Sequence, residues 1–205
     1  HDNKLHKNWA VKELEEPSDL ERSMELELLK TISCNAFPRI VDIVKENGRV
    51  FLVMDYVEGI TLAEIMDSYL QKEDVEGFRA LFKEYVERIS YGEEKAVADY
   101  DMIFANIIVN QDKWTVIDYE WTVFEKTDTK EIAFRSIYCY LLENNKRSNL
   151  CDKEWAMQYL GIHPEEIAEY QKKEVKFQEG VMGKRMSMSQ LIQIIGGKLF
   201  VVERW

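Results

Sequence analysis

Basic residues are in short supply in this chain. Its 205 residues include 27 Lys and Arg against 38 Asp and Glu, for a formal net charge of −11 and a pI of about 4.9. Nucleic acids and anionic bilayers are drawn to basic faces, so this balance argues against both as partners. It leaves room for an anionic ligand held in a small local site. Cysteine is scarce too. Cys34, Cys139 and Cys151 are odd in number and show no metal-ligand spacing. With no signal peptide in view, they read as reduced thiols in a cytoplasmic setting. The three histidines, His1, His6 and His163, are scattered, which removes the usual basis for a zinc site. No apolar run approaches the roughly 18 residues of a membrane span. With only 9 glycines and 3 prolines, there is no low-complexity linker, and no internal repeat is visible.

What is present is enough for a packed core: 46% of residues are hydrophobic and 12% aromatic. "WAVK" is a short apolar strand ending at Lys12. Ser18 and Glu21 have capping-box spacing ahead of a helix with Leu20, Met24, Leu28 and Ile32 on one face. "RIVDIV" and "RVFLVMDYV" are β-rich runs separated by Asn47-Gly48, a tight-hairpin signal. Glu58-Gly59 ends the second run, and Thr61 with Glu64 forms another capping box. Over 74–90, Val75, Phe78, Leu81, Phe82, Tyr85, Val86 and Ile89 share a helix face. Two short strands, "NIIVN" and "WTVID", flank the turn "QDK". Helices are expected at 129–144, 153–160, 164–181 and 188–196. The change from strand-rich to helix-rich near residue 60 predicts an α+β fold, with a small sheet lobe over 1–57 and a helical lobe over 58–205.

The stretch "YDMIFANIIVNQDKWTVIDYEW" carries the chemistry. Asp101 and Asn106 bracket a tight loop. Hairpin pairing brings the start of the first strand, Asn106, toward the end of the second, Asp118. An amide oxygen and carboxylates converging on one point make a hard-oxygen site suited to Mg²⁺. A further carboxylate that binds no metal can orient a hydroxyl or accept its proton. Asp101 and Asn106 are also common turn formers. Asp118 directly follows "WTVI", where an unpaired charge would cost several kcal/mol to bury, so a cation or donors are expected beside it.

The pattern "D-M-I-F-A-N" followed by "I-D-Y-E-W" resembles the protein-kinase-like superfamily. It is most similar to the aminoglycoside phosphotransferase and choline kinase branch, where the metal motif often reads I-D-F-E. The resemblance implies Asp101 as catalytic base and Asn106 and Asp118 as Mg²⁺ ligands. "WAVK" resembles the strand whose lysine, here Lys12, meets the nucleotide phosphates. "MELELLKTI" resembles the helix carrying its glutamate partner, assigned to Glu25 rather than Glu27. "VFLVMDYVEGITL" resembles the strand and hinge that hold adenine through backbone groups of Asp55, Tyr56 and Val57. The implied activity is ATP- and Mg²⁺-dependent transfer of a phosphoryl group to a hydroxyl of a small molecule or glycan. "IDYEWT", "FRSIY" and "FQEGV" are also similar to segments of kinase-like domains in bacterial polysaccharide-modifying enzymes, which implies a larger multidomain protein.

Two departures accompany the resemblance. No glycine occurs among the eleven residues before Lys12, so a Gly-rich phosphate loop is not expected within this stretch. The histidine position of the catalytic loop is held by Asp99, whose charge beside Asp101 is expected to raise one carboxylate's pKa. The alternative reading is therefore a non-catalytic, pseudokinase-type module of a polysaccharide-biosynthesis protein. Lys12 is equally readable as a solvated lysine, and Glu120 as a metal-side carboxylate or a helix N-terminal acid. No A-P-E segment follows "IDYEW", which disfavours protein phosphorylation.

Overall fold

The computed structural model describes residues 9–14, 37–89, 98–118, 122–123 and 127–182. Its first three strands are β1 (Trp9–Leu14), β2 (Ile40–Glu46) and β3 (Arg49–Asp55). They form an antiparallel sheet in the order β1-β3-β2. Asn47 (φ 52°) and Gly48 (φ 79°) both take the left-handed conformation and close the β2–β3 hairpin, with Glu46 opposite Arg49. Two positive φ values are what a two-residue hairpin turn of matching twist requires, which is why Asn-Gly signals it. β1 runs further than the apolar residues indicate. Lys12 is opposite Leu52, Glu13 opposite Phe51 and Leu14 opposite Val50, so Lys12 is inside the strand and not at its end. The ladder supplied by β3 extends β1 beyond its hydrophobic run.

At the end of β3 the chain turns through Gly59 (φ +143°), where an added Cβ would lie 2.4 Å from the Val109 carbonyl oxygen. This is a close backbone approach that only glycine permits. Strand β4 (Ile60–Thr61) pairs with β6 (Ile107–Asn110), which pairs with β7 (Lys113–Val116). Helix α1 (Leu62–Gln71) begins at the expected capping box. The Thr61 hydroxyl accepts from the Glu64 N–H at 3.1 Å, and Glu64 Oε2 accepts from the Thr61 N–H at 2.7 Å. Helix α2 (Val75–Ile89) buries Phe78, Phe82, Tyr85 and Ile89. Val75, expected on that face, is 47% exposed, because it is the first residue of the helix and precedes the packed turns.

Strand β5 (Ala98–Asp99) pairs with β8 (Thr122–Val123). Then follow α3 (Thr129–Glu143), α4 (Arg147–Leu150), α5 (Lys153–Leu160) and α6 (Pro164–Met182). The α+β class is as expected. Helix α6 falls in a second compact unit, 164–205, separate from 1–163. Within it, the Gln178 amide donates to Glu174 at 2.8 Å. The helices expected after Ser18 and at 188–196 lie outside the described residues. No described helix is long and apolar enough to cross a membrane.

The core of the first unit is an aromatic cluster around Phe104, which is 1% exposed. The ring meets Tyr85 edge-on at 4.8 Å, Tyr140 at 5.4 Å and Phe82 at 6.3 Å between centroids. Each such pair adds about 0.5–1.5 kcal/mol beyond the area it buries. Phe104 belongs to the loop between Asp101 and Asn106, so packing of α2 and α3 around it holds that loop in place.

Candidate active site

The loop starts from β5, whose ladder sets Asp99 opposite Thr122. From there, side chains hold each successive backbone group. Asp99 Oδ1 accepts from the Asp101 N–H at 2.8 Å. The Arg135 guanidinium, from α3, donates to the Tyr100 carbonyl, and the Tyr100 hydroxyl donates to Glu131 at 2.8 Å. The Asp101 carbonyl accepts from the Ile103 N–H at 2.7 Å and from Asn106 Nδ2 at 3.1 Å. The Met102 carbonyl faces two hydroxyls, Tyr85 at 2.7 Å and Ser136 at 3.1 Å, which are also in contact with each other. A short 3₁₀ turn (Phe104–Asn106) then leads into β6, so Asn106 precedes the strand it was expected to begin. Groups buried this way are immobilised, since each backbone acceptor would cost free energy if left without its donor.

The hairpin that follows brings the far end of the motif back. Ile107 is opposite Val116, and the Ile117 N–H donates to the Asn106 carbonyl at 2.9 Å. Asp118 comes next and is half-buried. It lies close enough to Asp99 to act on its charge, as Asp101 does. Three carboxyls thus share one neighbourhood, Asp99, Asp101 and Asp118, with Arg135 the cation that acts on Asp99. Burial is the largest influence on Asp99 and pushes its pKa well above the usual carboxylate range. The negative charges of Asp101 and Asp118 push the same way, and the Asp101 N–H and Arg135 oppose them. The expectation that an acid beside Asp101 would raise one carboxylate's pKa is met at Asp99 itself.

Of the residues singled out from the sequence, the loop and hairpin bring Asp101, Asn106 and Asp118 into one region. Asp101 is 6% exposed. The Asn106 amide spends its NH₂ on the Asp101 carbonyl, which leaves its oxygen as the side chain's acceptor. Among the described residues, no cluster of three or more His, Cys, Asp or Glu side chains is arranged to hold a metal ion. An amide oxygen with one carboxylate fits Mg²⁺ in the manner of nucleotide enzymes, where one or two protein ligands are completed by substrate phosphates and water.

Lys12 occupies the middle of β1, on the strand beside β3. Glu25 lies outside the described residues, as does Glu120. The Asp55 N–H donates to the Arg39 carbonyl at 3.0 Å, and its carboxylate pairs with the Arg39 guanidinium at 2.9 and 3.2 Å. Tyr56 and Val57 follow outside the strand, Tyr56 being 54% exposed. The residues that sequence reasoning missed are Tyr85, Arg135 and Ser136. Tyr85 reads as plain core from its place on an amphipathic face. Arg135 and Ser136 fall within "FRSIY", but nothing in that segment assigns them a role, because their importance depends on where α3 is docked.

No protein-family model matches the chain, and no curated protein matches it. Among solved structures, the Cydia pomonella granulovirus kinase PK-1 is similar at a TM-score of 0.42 and 15% identity, over 67% of this chain. The chain spans 60% of that kinase's length.

Proposed function

We propose that the chain transfers a phosphoryl group from ATP to a hydroxyl of a small molecule or glycan, on a kinase-like arrangement with its sheet lobe in 1–57 and its helical lobe in 58–205. The observation that carries this reading is the pinning of Asp101 to Asn106, and of Asn106 to the residue before Asp118, through hydrogen bonds of 3.1 and 2.9 Å. Phosphoryl transfer asks for little covalent chemistry from a protein and depends mainly on positioning and electrostatics. A loop anchored at four successive residues meets that need.

In this reading the Asp101 carboxylate accepts the acceptor's hydroxyl proton while the hydroxyl oxygen bonds to the γ-phosphorus. The bond from that phosphorus to the bridging oxygen breaks, and ADP leaves with the electron pair. Asn106 and Asp118 are the residues that would hold Mg²⁺, which when bound neutralises charge on the phosphates. Lys12, braced by Glu25, would add positive charge at the phosphates, and backbone groups of Asp55, Tyr56 and Val57 would hold adenine. Tyr85, Ser136 and Arg135 keep the Asp101 loop in one conformation. The acidic balance of the chain fits an acceptor that is not a nucleic acid.

A thermal-shift titration with ATP, with and without Mg²⁺, tests the reading. A Mg²⁺-dependent rise in Tm is expected, to be lost in Asp118→Ala and kept in Asp101→Ala, whose turnover should be abolished. Equal turnover in Asp101→Ala refutes the base assignment. No shift under any condition moves the chain to the pseudokinase-type module.

A further inference from the structure

We propose that Asp99 is a positioning residue that aims the Asp101 carboxyl, a role resting on the reading of Asp101 as the hydroxyl-orienting group. Asp99 is fully buried, and its Oδ1 takes the Asp101 N–H at 2.8 Å. That bond spans two residues and fixes the backbone at the residue whose side chain must point at the acceptor. The holding group is itself held. Asp99 is paired with Thr122 in the β5–β8 ladder, and its carbonyl accepts from the Met102 N–H at 3.4 Å.

The other carboxyl oxygen, Oδ2, is buried and has no hydrogen-bond partner among the described residues. A carboxyl placed only for stability would be expected to satisfy both oxygens, since a buried acceptor without a donor is destabilising. An unpartnered buried oxygen beside Asp101 is the kind of exception to satisfied burial that functional sites retain. Asp99 makes no claim on the substrate. It acts through the Asp101 backbone, whereas Arg135 and the Tyr85–Ser136 pair fix the carbonyls on either side.

The test is amide hydrogen exchange at Asp101, read by NMR on the full chain, together with steady-state kinetics. In the wild type the Asp101 amide should exchange at least about tenfold more slowly than in an unstructured peptide. Asp99→Ala should remove that protection and lower kcat by about ten- to a hundredfold, leaving the KM for ATP within about twofold. Asp99→Asn keeps an acceptor oxygen and should retain both protection and most of the turnover. An unprotected Asp101 amide in the wild type overturns the proposal without recourse to any variant. So does an Asp99→Ala protein with wild-type kcat, or an Asp99→Asn protein as impaired as Asp99→Ala. Absence of ATP binding in the wild type sinks the phosphotransfer reading instead, and exchange at Asp101 then decides the Asp99 contact by itself.

Discussion

Tyr85 and Ser136 offer a double-mutant cycle whose outcome follows from counting hydrogens. Three close contacts link the Tyr85 hydroxyl, the Ser136 hydroxyl and the Met102 carbonyl, yet the two hydroxyls have only one hydrogen each. Both hydroxyls can donate to Met102, or one can donate to it while the other donates to the first hydroxyl. Every arrangement leaves the carbonyl with a donor. Tyr85→Phe keeps the ring that meets Phe104 edge-on at 4.8 Å and removes only the hydroxyl. Ser136 can then serve Met102 alone, and the cost should be about 1 kcal/mol. Ser136→Ala leaves Tyr85 on the carbonyl and should likewise cost about 1 kcal/mol. The double variant strips both hydroxyl donors from a carbonyl whose residue is 1% exposed. The further desolvation penalty of about 1–3 kcal/mol appears only there, for a total near 3–5 kcal/mol. Urea denaturation of the four proteins measures the coupling, expected at about 1–3 kcal/mol. A cycle that is additive within about 0.5 kcal/mol would refute the shared-donor account.

Two other perturbations are equally direct. The pKa of Asp99 is raised in the folded protein, so its stabilising contribution is full below the unfolded value of about 4 and is lost as pH rises through the folded value. Asp99→Asn should therefore gain stability relative to wild type on going from about pH 4 to about pH 8; a difference that does not change with pH rules this out. At Asp67, burial raises the carboxyl's pKa, but hydrogen bonds from Arg147 and Tyr140 outweigh it and hold the group below its ordinary value. The Arg147 guanidinium is 11% exposed and grips both Asp67 oxygens at 2.8 Å, and it keeps Glu143 and the Tyr140 carbonyl if Asp67 is removed. Asp67→Ala should accordingly cost about 2–3 kcal/mol, short of the roughly 3–5 kcal/mol of a wholly stranded buried charge, and a loss under about 0.5 kcal/mol in chemical denaturation would contradict it.

Local chemistry made much of this molecule legible in advance. Asn47-Gly48, Thr61 with Glu64, and the face of Phe78, Phe82, Tyr85 and Ile89 each involve groups within a few residues of one another, so backbone geometry and periodicity suffice. The approach of Asn106 to the residue before Asp118 was legible for the same reason, since the hairpin joining them is short. The β5–β8 pairing was not. Two-residue strands have no period to detect, and the partners are more than twenty residues apart in the chain.

The chain alone determined that acids and an amide would cluster at the ends of the hydrophobic strands around residues 101–118, because a tight loop and a short hairpin leave those side chains little else to do. Tertiary structure decided what holds them there. The docking of α2 and α3 around Phe104 brings Arg135 onto the carbonyl before Asp101 and Tyr85 and Ser136 onto the carbonyl after it, and the β5–β8 ladder places Asp99 beside the Asp101 amide. Those contacts link residues 17 to 51 apart or rest on a two-residue ladder, and hydrogen bonds of that kind exist only once apolar packing has excluded water from around them.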